Sequence, residues 1–206
     1  RHHPKNASSC VKIFSATAAR RAILAVAAIR AKPPPTNGMP HTATAYVGIG
    51  SNLAEPLQQV QRAMSTLKNL PFCHVQAVSP WYGSHPVGGP IDQPDYINGV
   101  IGLQTTLTPH ALLDALQTIE QQQQRVRRER WGARTLDLDL LLYDSVCMHD
   151  DRLTLPHPRL YERAFVLVPL ADIAPQFTLP NGCSVASLLP ALSTEGLWPL
   201  SLSNKT

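Results

Sequence analysis

Apolar positions recur along the chain with two different periods, and the switches between them outline its elements. "TAYVGIG" (44–50) is a short apolar run that ends in glycines, as a buried strand does. In "EPLQQVQRAMSTLKNL" (55–70), Leu57, Val60, Met64 and Leu67 fall at helical spacing, with Ser51 or Asn52 near the start and Pro56 in the first turn. "HVQAVSPWY" (74–82) alternates like a strand, and "SHPVGGPIDQPD" (84–95), full of Pro and Gly, reads as a long loop. "YINGVIGLQTTL" (96–107) is a further strand. Thr108 then caps a helix with Pro109 at its first position and Leu112, Leu113, Leu116 and Ile119 as its apolar stripe.

The fourth strand, "RTLDLDLLLYD" (134–144), carries the most informative pattern. Side chains two apart on a strand share a face at roughly 6.5–7 Å. Leu136, Leu138 and Leu140 therefore face a core, and Asp137 and Asp139 project together from the opposite face. Like charges this close raise each other's pKa unless something positive stands between them.

Strand, helix, strand, strand, helix, strand is the ferredoxin-like βαββαβ order, an α/β (α+β) fold with a mainly antiparallel sheet and helices on its faces. A C-terminal extension follows: a strand-turn region "RLTLPHPRLYERAF" (152–165), an apolar stretch "VLVPLADIAP" (166–175) and a short helix near Ser187. It is expected to add a layer on the open face of the sheet. Fold alone does not give function.

Hydrophobic content of 44% suits a globular core of ordinary size. The charge is divided unevenly. Residues 1–43 hold seven of the 18 Lys and Arg and no acid, which leaves 11 basic against 14 acidic residues, a balance of −3, from Thr44 onward. The pI near 9.0 belongs to the head and not to a nucleic-acid-binding body. The head, 1–42, is expected to be a mostly disordered basic extension, with 43–206 as a single domain. Its composition fits a transit peptide, and equally upstream DNA translated by mistake with Met39 as the true start; the second reading is preferred. Cys10, Cys73, Cys147 and Cys183 lack metal or redox spacing and are expected to be reduced thiols. "AILAVAAI" (22–29) is far shorter than the ~20 residues of a membrane span. A cytoplasmic monomer is the expected form.

"RVRRERWGAR" sets Arg125, Arg127, Arg128, Arg130 and Arg134 just before the aspartate strand. Guanidinium forks match phosphate oxygens in pairs, yet the same cluster also suits a solvated helix end. The aspartates either pair with Arg134 or Arg130, or hold Mg²⁺, which takes one or two carboxylates and completes its shell with water and phosphate. Arginines beside such acids are the parts of a phosphoryl-transfer site. "GIGSN" (48–52) lacks the third glycine of a dinucleotide fingerprint and is expected to be a tight turn where a flat ligand approaches backbone. Tyr96 and Asn98 alternate on one strand; a ring beside an amide suits a heterocycle, or is a core tyrosine with a turn asparagine. His157, in "LPHPR", is either a phosphate ligand or a loop histidine.

In order and spacing, "GIGSN", "QPDYIN", "RWGARTLDLDLLLY" and "LPHPRLYERAFVLVPLADIAP" resemble segments of the 6-hydroxymethyl-7,8-dihydropterin pyrophosphokinases of folate biosynthesis. The likeness runs from about Ala45 to Phe177, and "RWGARTLDLD" is its most specific part. The resemblance implies transfer of pyrophosphate from the co-substrate ATP to the hydroxymethyl group of a reduced pterin, yielding AMP, with two Mg²⁺ ions held by Asp137 and Asp139. It implies that Tyr96 and Phe165 sandwich the pterin, that Asn98 reads its edge, and that Ser84 and Val87 line its pocket. It further implies that Arg125 and Arg134 engage the phosphates during transfer, with Arg127 and Trp131 on the same segment. Gln117, Glu120, Arg152, Thr154, His157 and Arg163 match nucleotide contacts. Ala133 stands where the family usually has proline. Loop 83–91 and segment 124–134 are expected lids.

Small-molecule substrates, with no nucleic acid and no membrane, are the partners expected. The competing reading is an RNA-binding ferredoxin-like module with "RVRRERW" as its basic patch; the −3 balance of the body and the lack of an RNP-like aromatic string oppose it. A P-loop kinase lacks its GxxxxGK[ST]. The mistaken-start reading predicts that mass spectrometry of the natural protein finds no peptide from before Met39; one such peptide overturns it.

Overall fold

The computed structural model describes residues 41–88, 92–123 and 135–201. The basic head up to residue 40, Arg125, Arg127, Arg128, Arg130, Trp131, Ala133 and Arg134 lie outside the described residues, as do residues 89–91 of the first expected lid and the whole of the second, 124–134.

Strand β1 (Ala43–Ser51) pairs antiparallel on one side with β4 (Tyr96–Thr105), the middle strand of the sheet, and on the other with the edge strand β5 (Asp137–Tyr143). The far edge of β4 carries β2 (Cys73–Val78) beside its C-terminal half and β3 (Tyr82–Ser84) beside its N-terminal half. This is the expected βαββαβ arrangement, with one difference. The stretch 74–82 is two strands. Pro80 has no N–H for the ladder, and Ser79 bridges the gap by accepting Val100 N–H on its Oγ at 2.9 Å.

Helices α1 (Pro56–Lys68) and α2 (Pro109–Gln122) cover one face. Val60, Ala63, Met64 and Leu67 meet Ala45, Val47, Ile49, Leu138 and Leu140 in one core, which Leu112, Leu116 and Ile119 complete from α2. Thr108 caps α2, its Oγ1 accepting from Ala111 N at 3.3 Å. Capping of α1 differs from the sequence expectation. Glu55, in the left-handed region (φ 61°), precedes Pro56, and neither Ser51 nor Asn52 caps the helix. Ser51 Oγ donates to Thr135 O at 2.6 Å and Asn52 Nδ2 to Pro94 O at 3.0 Å. Both tie the end of β1 to neighbouring segments instead.

"GIGSN" is likewise no tight turn: Gly48 and Gly50 lie within β1. Even-numbered residues of β1 face away from α1 and α2, so the glycines open that second face.

The second face has its own layer. The apolar stretch is helix α3 (Ala164–Ile173), which buries Val166, Leu167 and Leu170 against Val100, Leu141 and Leu142. Its sequence hides the helix, because nearly every residue is apolar and Pro169 interrupts it. Helix α4 (Val185–Leu188), capped by Ser184, adds Val185 to the same cluster. A base-stacking module keeps this sheet face open; here α3 covers part of it. Strands β6 (Met148–His149) and β7 (Thr154–Leu155) form a small hairpin. The sequence reading anticipated neither β6 nor β8 (Leu197–Pro199), three residues that pair with β3.

Tyr82 Oη donates to Asp172 Oδ2 at 2.7 Å, linking β3 to α3. Burial, and then Asp172, push this phenol up to about 12, against about 10 in the unfolded chain. The native state keeps a proton that the unfolded chain releases, so the contact's stabilisation is whole below pH ~10 and is lost as pH rises toward the native value. Tyr82→Phe should lower the melting temperature by roughly 2–4 °C at pH 8, and the gap to wild type should shrink at pH 11.

Candidate active site

In register, Gly48 faces Asp139 and Gly50 faces Asp137 across the β1–β5 pair. Leu138 and Leu140 point into the helix-covered core, and the two aspartates project from the other face into a cleft of about 830 Å³. The missing side chains matter here. A Cβ on Gly50 would rest on Asn98 Oδ1 at 3.4 Å, taking up space beside the amide that the glycine leaves open. The cleft is also lined by Ser84, Val87, Tyr96, Asn98, Arg159, Arg163 and Phe165. Every residue the resemblance assigned to the pterin thus lines one cleft with both aspartates.

Within it, Asn98 is 5% exposed and its Nδ2 donates to Ser84 Oγ at 2.9 Å. The hydroxyl fixes the amide's orientation, leaving a rigid polar group at the cleft wall. Tyr96 Oη donates to Gln93 Oε1 at 3.4 Å. On the opposite wall, the Arg163 guanidinium lies 5.5 Å from the centroid of the Phe165 ring. Burial lowers the pKa of Arg163, opposed by Asp139; it stays a cation at neutral pH.

A second cavity, of about 780 Å³, opens on the other side of Asp139. Gln117 and Glu120 reach it from α2, with Arg152 and Thr154 from the β6–β7 hairpin and His157 from the turn that follows. Of the six residues matched to nucleotide contacts, these five converge there, whereas Arg163 lines the first cleft. Asp139 lines both.

A bulge in β5 builds this junction. Register shifts between Tyr46 and Val47, so Leu141 and Leu142 both reach the α3 layer. Leu141 O accepts from His157 N at 2.9 Å, setting His157 beside the strand. The imidazole Nδ1 accepts from Arg159 N at 3.2 Å, which leaves the ring proton on Nε2, 3.9 Å from Asp139 Oδ2. Burial, and then Arg163, depress the His157 pKa below its ordinary value. At neutral pH the ring is a neutral donor facing the gap between the cavities.

Two other sequence assignments look different in three dimensions. Glu120 is buried, and its Oε1 accepts from Leu138 N at 2.7 Å; it fastens α2 to the aspartate strand as well as lining the cavity. Arg152 pairs with Asp114, one turn before Gln117 on α2. Asp150 holds the hairpin turn, accepting from Arg152 N and Leu153 N at 2.8 and 2.9 Å and meeting His110 Nε2 at 2.8 Å. Sequence reasoning gave no role to Arg159 or His85, placed Ser51 and Asn52 near a helix start, and missed the bulge at Leu141. Only the alternation of Gly48 and Gly50, matched to that of Asp137 and Asp139, was available as a signal.

The donor set suits a hard cation. Among the described residues, no three His, Cys, Asp or Glu side chains gather as metal ligands. Two carboxylates, Asp137 and Asp139, in one cleft are a donor set that fits Mg²⁺, which takes one or two carboxylates and draws its remaining ligands from water and phosphate.

A family model described as 7,8-dihydro-6-hydroxymethylpterin-pyrophosphokinase matches residues 46–175. A Pseudomonas aeruginosa protein named 2-amino-4-hydroxy-6-hydroxymethyldihydropteridine pyrophosphokinase is 52% identical over 152 residues, 74% of this chain and 93% of its own length. Proteins of the same name from Haemophilus influenzae (47% identical, covering 71% of this chain and 91% of theirs) and Synechocystis (43%, 76% and 80%) are also similar. Among solved structures, a Plasmodium falciparum HPPK-DHPS triple mutant superposes with a TM-score of 0.58 at 12% identity, over 73% of this chain. That match spans 43% of the parasite chain and shows the fold alone.

Glu120→Ala would remove the acceptor of the Leu138 N–H. It should destabilise the protein by about 2 kcal/mol, measured by urea unfolding.

Proposed function

The chain belongs to the 7,8-dihydro-6-hydroxymethylpterin-pyrophosphokinase family, and on that premise we infer that it transfers pyrophosphate from ATP to 6-hydroxymethyl-7,8-dihydropterin in folate biosynthesis. The observation that carries the reading is the meeting of two cavities at Asp139. One sets two rings, Tyr96 and Phe165, and the Asn98 amide around its space, as suits a heterocycle, and the other is rimmed by groups that suit a nucleotide. In-line transfer needs its two substrates on opposite sides of the reacting phosphorus.

The pterin ring lies between Tyr96 and Phe165 in this reading, its edge read by the Asn98 amide, with Ser84 and Val87 on the wall. ATP takes the second cavity, contacted by Gln117, Arg152 and Thr154, with Glu120 at its floor. The hydroxyl oxygen attacks the β-phosphorus, the bond from that phosphorus to the α,β-bridging oxygen breaks, and AMP leaves with the electron pair. The hydroxyl proton is released. The neutral His157 Nε2–H donates to a phosphate oxygen, and Arg163 sets a positive charge beside the acceptor side of the transfer. Asp137 and Asp139 are proposed to hold two Mg²⁺ ions. Magnesium, when bound, offsets charge on the phosphate oxygens and aligns them.

Arg125 and Arg134 are proposed to meet the phosphates during transfer, with Arg127 and Trp131 contacting the nucleotide; the support is the resemblance of "RWGARTLDLD" to the family pattern. Residues 43–206 are proposed as one pyrophosphokinase domain behind a basic extension, acting as a cytoplasmic monomer on small molecules, without nucleic-acid or membrane partners. The acidic balance of the body supports that last element. Among the described residues no helix is long and apolar enough to cross a membrane.

AMP should form from ATP only when Mg²⁺ and hydroxymethyl-dihydropterin are both present. Asp139→Ala should slow it by at least about 100-fold while the melting curve stays cooperative. AMP formation that ignores Mg²⁺, or full activity in Asp139→Ala, would overturn the assignment.

A further inference from the structure

The wall of the pterin cleft is the turn that leaves β3: Ser84, His85, Pro86 and Val87. On its inner edge β3 pairs with β4, Ser84 opposite Tyr96 and Tyr82 opposite Asn98. Its outer edge is held by the C-terminal end of the described chain. Strand β8 pairs with the whole of β3, Ser84 with Leu197, Gly83 with Trp198 and Tyr82 with Pro199. The ladder continues past both ends, His85 N donating to Gly196 O at 3.0 Å and Leu200 N to Trp81 O at 2.9 Å.

Side chains lock the same register. The Trp198 indole lies on Gly83 so closely that a Cβ there would stand 2.3 Å from its Nε1. Only glycine admits that approach. The His85 ring packs on the indole with centroids 5.0 Å apart, and its Nδ1 meets Asp95 Oδ1 at 2.8 Å. Asp95 is the residue before Tyr96. One continuous set of contacts thus runs from Trp198 through His85 to the base of the ring that flanks the cleft. Ser84, the acceptor of the Asn98 amide, sits inside that set. None of these groups touches the second cavity.

We propose that strand β8, through Trp198 seated on Gly83 and packed on His85, is a positioning element for the pterin cleft: it fixes Ser84 and the Asn98 amide for the acceptor and leaves the nucleotide cavity alone. Trp198 is a positioning residue and contacts no substrate. The proposal rests on the pterin assignment made above. It gives a role to a strand, Leu197–Pro199, that lies beyond the matched family segment 46–175 and yet joins the sheet. An edge strand pays its conformational entropy once, in folding, so the wall meets the ligand already ordered.

The test compares wild type with Trp198→Ala, Trp198→Phe, Gly83→Ala and the double variant Gly83→Ala/Trp198→Ala, in steady-state assays and in direct titration of pterin fluorescence. Trp198→Ala should raise KM and Kd for the pterin roughly tenfold and leave KM for ATP within twofold. Trp198→Phe should recover most of the loss. Gly83→Ala should be as impaired as Trp198→Ala, because its methyl group evicts the indole, and the double variant should be no worse than either single one. An unchanged pterin Kd in Trp198→Ala overturns the proposal, as does an equal rise in both KM values or an additive double variant. A wild type that binds pterin but forms no AMP counts against the pyrophosphokinase reading instead, and the Kd series then judges β8 by itself.

Discussion

The antiparallel pairing of β1 with β5 is the constraint on which the site depends. A strand's two-residue period sends Leu138 and Leu140 into the main core and Asp137 and Asp139 out of it, so hydrophobic burial of the leucines holds the carboxylates at fixed height and spacing. Slipping the register by one residue would reverse both sets. The glycines opposite make the arrangement usable. A Cβ at Gly48 would rest on Leu141 and one at Gly50 on Asn98, each at 3.4 Å, and both would take up space in the cleft the glycines line.

The electrostatics follow from that geometry. Two acids on one face repel, and the surrounding groups answer them: Arg159 and Arg163 line the same cleft, and Asp139 offsets part of the burial cost of Arg163. His157 is handled differently. Burial and the neighbouring arginine keep it neutral, so it serves as a directed N–H and adds no charge. The site thus brings cationic and neutral donors together with anionic mounts, as a reaction that redistributes charge over phosphate oxygens requires.

Support for the two cavities comes from separate parts of the chain. The hairpin that presents Arg152 and Thr154 is tied to α2 by the Asp114–Arg152 and His110–Asp150 pairs. The wall that presents Ser84 is held by β8. Asp139 and His157 stand between them, fixed by the bulge at Leu141. The two cavities thus rest on separate contacts and share Asp139.

Much of this was legible beforehand, because it depends on local periodicity. Alternation in "LDLDL" established the two faces of β5, the stripe Leu112–Leu116–Ile119 and the Thr108–Pro109 cap defined α2, and the order of elements led to the antiparallel βαββαβ sheet. What failed did so where local pattern and long-range contact disagree. Ser51 and Asn52 look like helix caps in sequence, but their partners, Thr135 and Pro94, are 84 and 42 residues away. Helix α3 has Asp172 as its single polar residue, so no polar stripe marks the period that would reveal it. Strand β8 is too short to signal itself and exists because β3 offers it an edge. The amino-acid sequence by itself determined which residues share a face, since φ/ψ periodicity is a property of neighbours. Only tertiary structure decided which faces meet: that Asp139 stands between two cavities, that Glu120 ties α2 to the aspartate strand, and that Trp198 closes on Gly83, are outcomes of packing between segments far apart in the chain.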